Sequence, residues 1–432
     1  MIKRDRYLHM LIRGKENGKV KVITGLRRCG KTVLLHEIYH QYLISVGVPA
    51  SHIIELLLDE DRNAQYRNPL ELGVYIRNQL ADPDHMYYVF LDGIQRIATI
   101  PNPYRSNSGE TIGMIDVLQS LAEIENVDLY VTGGAGLFSS PNVPAEFRAR
   151  VDEIRVYPLS YSEFCGDFQG DRQQALEEYL TFGGMPQVLA QQTPADKAGC
   201  LRGLLDGCCL DDIASRCQSF RGKNVLEDIL HILASSAGQL SSPSKIAGIY
   251  ASEKETDLDE AAVDGYLGCF LDAFLLNRMQ RYDVKGVKYI GSPVKYYFSD
   301  TGLFHACTGF GQREDSRAME IAILSELILR GFEADVGIVG CNYRDETGKS
   351  RRVQLEVDFL ASRGSRRYYI QSAESLADEA VRAKKINPLL RIGDSFRKLV
   401  IVRDAIAPQH DENGILYLGL EQFLLQESAV NI

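Results

Sequence analysis

The chain has 432 residues, of which 45% are hydrophobic and 25% charged, as in ordinary globular proteins. Its length predicts about three domains, and its net charge of −10 disfavours DNA binding through a broad basic surface. The sequence has no apolar run long enough to predict a membrane span and no signal peptide at its start. Its nine cysteines form no C-x-x-C pair, which favours reduced thiols and a cytoplasmic location.

Residues 25–32 read Gly-Leu-Arg-Arg-Cys-Gly-Lys-Thr, the phosphate-binding pattern G-x-x-x-x-G-K-[ST]. A predicted strand at 19–24 precedes the loop, and apolar residues at helical spacing follow it. Glycines let backbone N–H groups turn towards phosphate, and the helix N-terminus adds partial positive charge. Lys31 would reach the β- and γ-phosphates of ATP, and Thr32 would ligate Mg²⁺. A glycine turn that binds nothing is the alternative. The residues predicted to bind ATP here are Gly25, Arg27, Arg28, Cys29, Gly30, Lys31, Thr32 and Val33.

A second nucleotide motif is the apolar run 87–92, which ends in Asp92. A buried strand of this kind lifts one carboxylate to Mg²⁺ and its water, so Thr32 and Asp92 are the predicted metal ligands. An ATPase of the AAA+ type normally carries glutamate next, to polarise the attacking water. This chain has Gly93, which can neither accept a proton nor orient a water.

Other strand ends of the first domain carry weaker signals. The acids at 59–61 follow a predicted strand, where ligands of α/β sheets bind, but a solvated turn is the favoured interpretation. Ala135 offers only a methyl group where AAA+ proteins usually place a polar residue near the γ-phosphate. The stretch 153–160 predicts the last strand of a five-stranded parallel sheet. Arg148 and Arg150 before it either reach a nucleotide or are ordinary exposed arginines.

These motifs together resemble a prokaryotic family of P-loop ATPases with an N-terminal AAA-type domain and a C-terminal domain of unknown function. The family implies ATP binding, a winged-helix module and a fold similar to PD-(D/E)xK nucleases. The chain departs from the family at Gly93, at Ala135 and around Arg150, so the resemblance leaves the catalytic residues unassigned and turnover weak or absent. The stretches that carry the resemblance are 25–32, 88–95, 153–160, 179–186, 295–303, 356–359 and 368–373.

The predicted fold class is α/β, with a P-loop NTPase parallel sheet, a helical lid and winged-helix module, and an α/β nuclease-like domain. In the winged-helix order, the candidate recognition helix 257–274 has five acids and no lysine or arginine. Such a helix would repel phosphate, which favours a protein-binding or interdomain role over DNA reading. Lys285 and Lys288 are the remaining phosphate candidates there. The predicted domains are 1–165 (AAA-type), 166–221 (lid or linker), 222–312 (winged-helix-like) and 313–432 (nuclease-like).

The nuclease-like domain is predicted from the order helix, three strands, helix, strand. Asp358 stands where such nucleases place their first acid, but the following motif reads Gln371-Ser372-Ala373 and lacks an acid and a lysine. Glu320, Asp358 and Gln371 could still gather around a metal. An inactive, structural version of the fold is the favoured interpretation.

Three functional hypotheses follow. The first is an ATP–Mg²⁺-dependent switch of the AAA type with weak or absent hydrolysis. The alternative is an ATP-dependent DNA-processing or defence protein with a nuclease-like domain, and a third is a scaffold that holds nucleotide structurally. Besides nucleotide, a protein partner or a second copy of the chain stays open, DNA is not favoured by charge, and no membrane partner is expected.

Overall fold

The computed structural model describes residues 2–105, 109–134, 143–216, 222–311, 315–344, 350–426 and 428. The chain divides into two compact units, Met1–Tyr157 and Pro158–Ile432. Among the described residues, no helix is both long and apolar enough to cross a membrane. The finer domain boundaries predicted from the sequence stay predictions.

The first unit alternates strands and helices. A π-helical turn at Leu34–Tyr39 joins α2 to α3, so the helix after the phosphate loop continues to Ser45. The strands are β1 (Val20–Gly25), β2 (Ile53–Leu57), β3 (Tyr87–Asp92), β4 (Ile100–Pro101), β5 (Thr111–Ile112), β6 (Val127–Thr132) and β7 (Val151–Val156). The helices are α1 (Asp5–Gly14), α2 (Lys31–Val33), α3 (His40–Ser45), α4 (Pro69–Gln79), α5 (Met114–Ala122) and α6 (Ala145–Ala149), with short 3-10 turns at Ala50–His52, Asp61–Arg67 and Ile94–Arg96.

Five of these strands form a parallel sheet in the order β2-β3-β6-β1-β7. The predicted P-loop NTPase sheet is therefore confirmed. Every residue of β1 is buried, as expected for a strand of a parallel sheet that is covered on both faces. The carboxyl ends of β1, β3 and β6 meet at one edge, and the candidate site lies there.

The second unit begins with helices and continues into a large mixed sheet. A π-helical segment at Leu204–Leu210 links two of its helices. The helices are α7 (Tyr161–Asp167), α8 (Arg172–Phe182), α9 (Pro186–Leu189), α10 (Pro194–Gly203), α11 (Asp211–Arg216), α12 (Lys223–Ser235), α13 (Pro243–Lys254), α14 (Glu260–Asp272), α15 (Thr301–Thr308), α16 (Asp315–Leu329), α17 (Glu379–Leu390) and α18 (Leu420–Leu425). The strands are β8 (Leu240–Ser241), β9 (Leu276–Asp283), β10 (Lys288–Phe298), β11 (Glu333–Arg344), β12 (Ser350–Arg363), β13 (Arg366–Ala373), β14 (Arg397–Val402), β15 (Gln409–His410) and β16 (Leu416–Gly419).

The nine strands of the second unit form one sheet in the order β15-β16-β14-β13-β12-β11-β9-β10-β8. The strands of the predicted winged-helix module thus continue the sheet of the predicted nuclease-like module, through a parallel pairing of β9 with β11. Local sequence patterns predicted the helices and strands of both modules. They could not predict this pairing, because it joins residues about fifty positions apart.

The cysteines differ in state. Among the described residues, six cysteines form no disulfide bond: Cys29, Cys165, Cys200, Cys209, Cys307 and Cys341. Cys269, on α14, is disulfide-bonded instead. The expectation of reduced thiols throughout the chain is therefore wrong at this position.

Asp300 joins two turns of the second unit into one buried cluster. Its carboxylate accepts hydrogen bonds from Gly184 N at 2.7 Å and from Leu303 N at 3.0 Å, and the latter caps α15. A Cβ atom on Gly183 would lie 2.2 Å from Asp300 Oδ1, so only glycine fits there. Burial raises the pKa of Asp300 to about 6, although the backbone N–H donors oppose the rise.

We predict that Asp300→Asn changes the pH dependence of stability. The folded-state pKa is above the unfolded value of 3.8, so the carboxyl group stabilises the fold below about pH 4, and this stabilisation is lost as the pH rises through about 6. A rise of this size corresponds to about 3 kcal/mol. Between pH 4 and pH 7, the free energy of unfolding of the variant should therefore rise by about 2 kcal/mol relative to the wild type, since the unfolded carboxyl is already partly ionised at pH 4.

Denaturant unfolding at both pH values measures this difference. Glu374→Gln removes an exposed carboxylate and serves as the control, with a difference that should stay flat. A flat difference for Asp300→Asn as well would contradict the assigned ionisation of Asp300.

Candidate functional site

The phosphate loop between β1 and α2 is held in a shape that requires glycine. Gly25 and Gly30 have φ angles of +139° and +104°, which L side chains rarely adopt. A Cβ atom on Gly25 would lie 2.1 Å from Val156 O. The buried Cys29 thiol donates to the same carbonyl at 3.3 Å. The loop therefore lies tightly against the end of β7, and the Cys29 thiol anchors it there.

Lys31 is the cation of the loop. Its ammonium group is half-buried and donates to Gly25 O at 2.9 Å and to Leu26 O at 2.8 Å. These neutral carbonyls hold the side chain against the loop. Phosphate oxygens are stronger acceptors because they are ionised, so the ammonium can exchange the carbonyls for a polyphosphate at little cost.

The two predicted metal ligands meet in the structure. Thr32 Oγ1, on the first turn of α2, donates to Asp92 Oδ2 at 2.5 Å. The hydroxyl of Thr132, at the end of β6, donates to Asp92 Oδ1 and accepts from Gly93 N at 3.1 Å. Hydroxyl and carboxylate oxygens are the ligands that Mg²⁺ prefers, so Thr32 and Asp92 fit this ion. Thr132 was missed by sequence reasoning, where its only signal was its place at the end of a strand.

The other predicted ATP-binding residues lie on the same loop but differ in exposure. Arg27 is half-buried, whereas Arg28 and Val33 are exposed; their contacts to nucleotide stay predictions. Arg148 lies in α6 and Arg150 just before β7, and both are exposed. The prediction made for Ala135 concerns a position outside the described residues.

Gly93 has a carboxylate directly beside it. It adopts φ +80°, and a Cβ atom there would lie 3.3 Å from both Cγ and Oδ2 of Asp59. Asp59 follows β2, and its Oδ1 accepts from Arg96 Nε at 2.7 Å. Sequence reasoning favoured a solvated acidic turn for Asp59. The structure places it beside the end of the strand that carries Asp92.

A second charged cluster lies within the sheet of the second unit. Ser372 N and Ser372 Oγ both donate to Asp358 Oδ2 at 2.9 Å, and Ser372 Oγ lies 3.4 Å from Glu320 Oε1. The Tyr297 hydroxyl donates to Glu320 Oε2 at 2.9 Å. The register of β12 against β11 shifts between Val357 and Leu360, so Asp358 sits at a β-bulge, a feature often found beside functional sites.

Lys385, on α17, supplies an amine to this cluster. Its Nζ donates to Asp358 Oδ2 at 2.8 Å. Burial lowers the pKa of Lys385, but the nearby carboxylates outweigh it and leave that pKa raised. Burial and the charge of Asp358 raise the pKa of Glu320. The motif at 371–373 has Ala373 at the position where such nucleases carry a lysine. The sequence alone could not show that α17 places Lys385 beside Asp358.

Gln371 is the third predicted member of this cluster. Its Nε2 donates to Glu356 O at 2.9 Å, and its buried Oε1 has no hydrogen-bond partner. Ser372 Oγ lies within reach of both Glu320 and Asp358. Across the described ranges, however, no three His, Cys, Asp or Glu side chains are grouped so that they could hold a metal ion.

Comparisons with known proteins identify the first unit. Residues 17–165 match the family described as an AAA domain. The first unit carries an AAA-type P-loop domain. The fold of the chain is similar to that of the Walker-type ATPase PABY2304 of Pyrococcus abyssi, at 15% identity and a TM-score of 0.50, over 71% of this chain and 96% of that one. The family match supports an AAA-type domain at residues 17–165, and the structural similarity supports its fold.

The second unit matches a family without a known role. Residues 173–314 match a domain of unknown function, DUF8612. Over nearly its full length the chain is similar to an uncharacterized protein of Haemophilus influenzae, at 28% identity over 431 residues that cover 99% of each chain. An uncharacterized protein of Methanocaldococcus jannaschii, MJ1544, is 25% identical over 363 residues, which are 79% of this chain and 72% of that one. These matches leave the nuclease-like and winged-helix-like assignments as predictions.

Proposed function

We propose that this protein is a nucleotide-dependent switch that binds ATP with Mg²⁺ in its first unit and hydrolyses it slowly. The observation that carries the proposal is the contact between Thr32 and Asp92 beside the Lys31 ammonium. It joins a phosphate-binding group to two oxygen ligands for Mg²⁺ at one sheet edge. The bound nucleotide would set the state of the second unit.

Slow turnover follows from the composition of that edge. Gly93 has no side chain with which to orient water, and both oxygens of Asp92 already accept hydroxyl hydrogen bonds. A site that binds ATP well and hydrolyses it slowly keeps ATP bound for a long time, and this long-lived ATP-bound state can act as a signal. We therefore expect a switch rather than a motor.

Identifying the nucleotide that is released from the purified protein tests this proposal. Retained ATP, in about one copy per chain, is the expected result. Hydrogen exchange of the second unit should then differ between ATP-loaded and nucleotide-stripped protein. Retention of ADP alone would contradict slow hydrolysis, and identical exchange would contradict the switch.

A second candidate function is supported by one specific contact. The Lys385 ammonium lies 2.8 Å from Asp358, next to the half-buried Glu320. Paired carboxylates with a nearby amine are a chemistry suited to phosphodiester hydrolysis, so a DNA-processing protein with a nuclease-like second unit stays a proposal. Its metal would be held by Asp358 and Glu320, with the buried Gln371 oxygen as a third donor.

Lys385→Met tests the second candidate. If this cluster cuts DNA, the purified protein should nick plasmid with ATP and Mg²⁺ or Mn²⁺, and the variant should nick it about 100-fold more slowly, the usual effect of losing an acid–base group. Lys384→Met, which changes the exposed neighbour on the same helix, should cut like the wild type. Intact plasmid with the wild-type protein in both metals would rule out this function.

A further inference from the structure

We propose that Asp59 is the general base of ATP hydrolysis in the first unit and works from the space beside Gly93. This inference rests on the proposed binding of ATP, and it assigns the slow turnover of that site to one side chain. Sequence motifs do not indicate the residue, because it belongs to a neighbouring strand. The structure brings it to the nucleotide edge.

The position of the carboxylate is the first argument. A Cβ atom on Gly93 would lie 3.3 Å from Asp59 Cγ and Oδ2. The Asp59 carboxylate therefore occupies the volume that a side chain at position 93 would enter, directly after the strand that presents Asp92. Residue 93 lies beside the predicted metal ligand, so an oxygen base in this volume is close to where a γ-phosphate and its attacking water would be.

The fixed backbone of Asp59 is the second argument. Leu58 N donates to Asp92 O at 2.9 Å, which extends the pairing of β2 with β3 to the residue before Asp59. Arg67 Nε donates to Leu58 O at 2.8 Å, and Arg67 Nη2 to Asp59 O at 3.1 Å. Arg96 Nε holds one carboxylate oxygen at 2.7 Å. The chain that carries the base is thus tied to the strand of Asp92, and its side chain is oriented by a cation.

The other acids at this edge are placed for other roles. Asp92 has both oxygens bonded by Thr32 and Thr132. Glu60 is paired with Arg62, and the side chain of Asp61 is fully exposed. The Asp59 side chain is about half exposed, at 52%. It can therefore meet a solvent water and return a proton to solvent.

The step is hydrolysis of the terminal anhydride. The water oxygen forms a bond to the γ-phosphorus while the bond from that phosphorus to the β,γ-bridging oxygen breaks, and ADP leaves with the electron pair. One water proton passes to the Asp59 carboxylate and then to solvent. Lys31 would hold the phosphate charge during this step. In this step, Asp59 supplies only the proton transfer.

Asp59→Asn is the test, with Asp61→Asn as the matched control two residues away in the same acidic turn. Under single-turnover conditions with ATP and Mg²⁺, Asp59→Asn should hydrolyse bound ATP about 100-fold more slowly than the wild type. Asp61→Asn should match the wild type. Calorimetric titration with ATP should give all three proteins dissociation constants within about threefold of each other, since an uncharged isostere at position 59 leaves the phosphate loop intact.

A double variant restores the base by another route. Asp59→Ala combined with Gly93→Asp clears the residue-59 carboxylate from this volume and returns one from position 93, where aspartate tolerates the φ of +80° better than most side chains; it should hydrolyse at least about tenfold faster than Asp59→Ala alone. Absence of this recovery would count against the assigned position. Equal hydrolysis by Asp59→Asn and the wild type, or bound ATP that the wild type does not hydrolyse, would overturn the inference while ATP binding stands. Titration without heat for the wild type would overturn ATP binding and the inference together.

Discussion

Lys31→Ala is expected to weaken ATP binding about 100-fold. The ammonium lies on the phosphate loop and donates two hydrogen bonds, at 2.9 and 2.8 Å, to loop carbonyls. On binding, it would donate instead to ionised phosphate oxygens, and hydrogen bonds of that kind contribute about 1.5–3 kcal/mol each. Losing them should raise the dissociation constant by about two orders of magnitude. Isothermal titration of ATP with Mg²⁺ measures the change.

Lys19→Ala is the control for this variant. Lys19 is exposed, lies just before β1 and pairs with Asp152, so its removal changes the net charge equally but leaves the loop untouched. Its dissociation constant should stay near the wild-type value, because an exposed ion pair contributes little. Equal heats from Lys31→Ala and the wild type would show that the ammonium does not contact the nucleotide.

Gly25→Ala is expected to disrupt the phosphate loop and to destabilise the first unit by about 3 kcal/mol or more. The added methyl group would lie 2.1 Å from Val156 O, and the residue has φ +139°. Moving either the Val156 carbonyl or the loop to relieve this collision would break the contact between the loop and β7. We expect a lower thermal unfolding temperature together with loss of ATP binding.

Gly47→Ala separates the collision from the backbone strain. Gly47 also has a positive φ, +91°, but a Cβ atom there meets nothing within 4 Å. Its substitution should cost about 1–2 kcal/mol from conformation alone and leave ATP binding unchanged. A Gly25→Ala protein that unfolds no earlier than Gly47→Ala and still binds ATP would contradict the role given to the Gly25 turn.

The sequence predicted most of the first unit because its signals are local. The loop, its helix, β3 and its terminal Asp92 follow from a motif and from runs of apolar residues. At the start of the second unit, a spacing of three residues between Ser160 and Glu163 is typical of a capping box, and the box is present with hydrogen bonds of 3.2 and 3.0 Å. Short-range rules of this kind need no knowledge of the tertiary fold.

The parts that sequence reasoning missed depend on contacts between distant segments. Asp59 and Gly93 are 34 positions apart, and they meet because β2 and β3 are neighbours in the sheet. Lys385 reaches Asp358 from another helix, a contact that the residues at 371–373 could not reveal. Only the fold shows which of several similar carboxylates and amines lie together.

A crystal structure of the protein soaked with ATP and Mg²⁺ would show directly whether the phosphate loop holds the nucleotide. We predict electron density for the triphosphate along residues 25–32, with the Lys31 ammonium moved from its loop carbonyls onto phosphate oxygens and the ion bound by Thr32 and Asp92. A well-ordered loop without that density, in which Lys31 still donates to Gly25 and Leu26, would contradict the account.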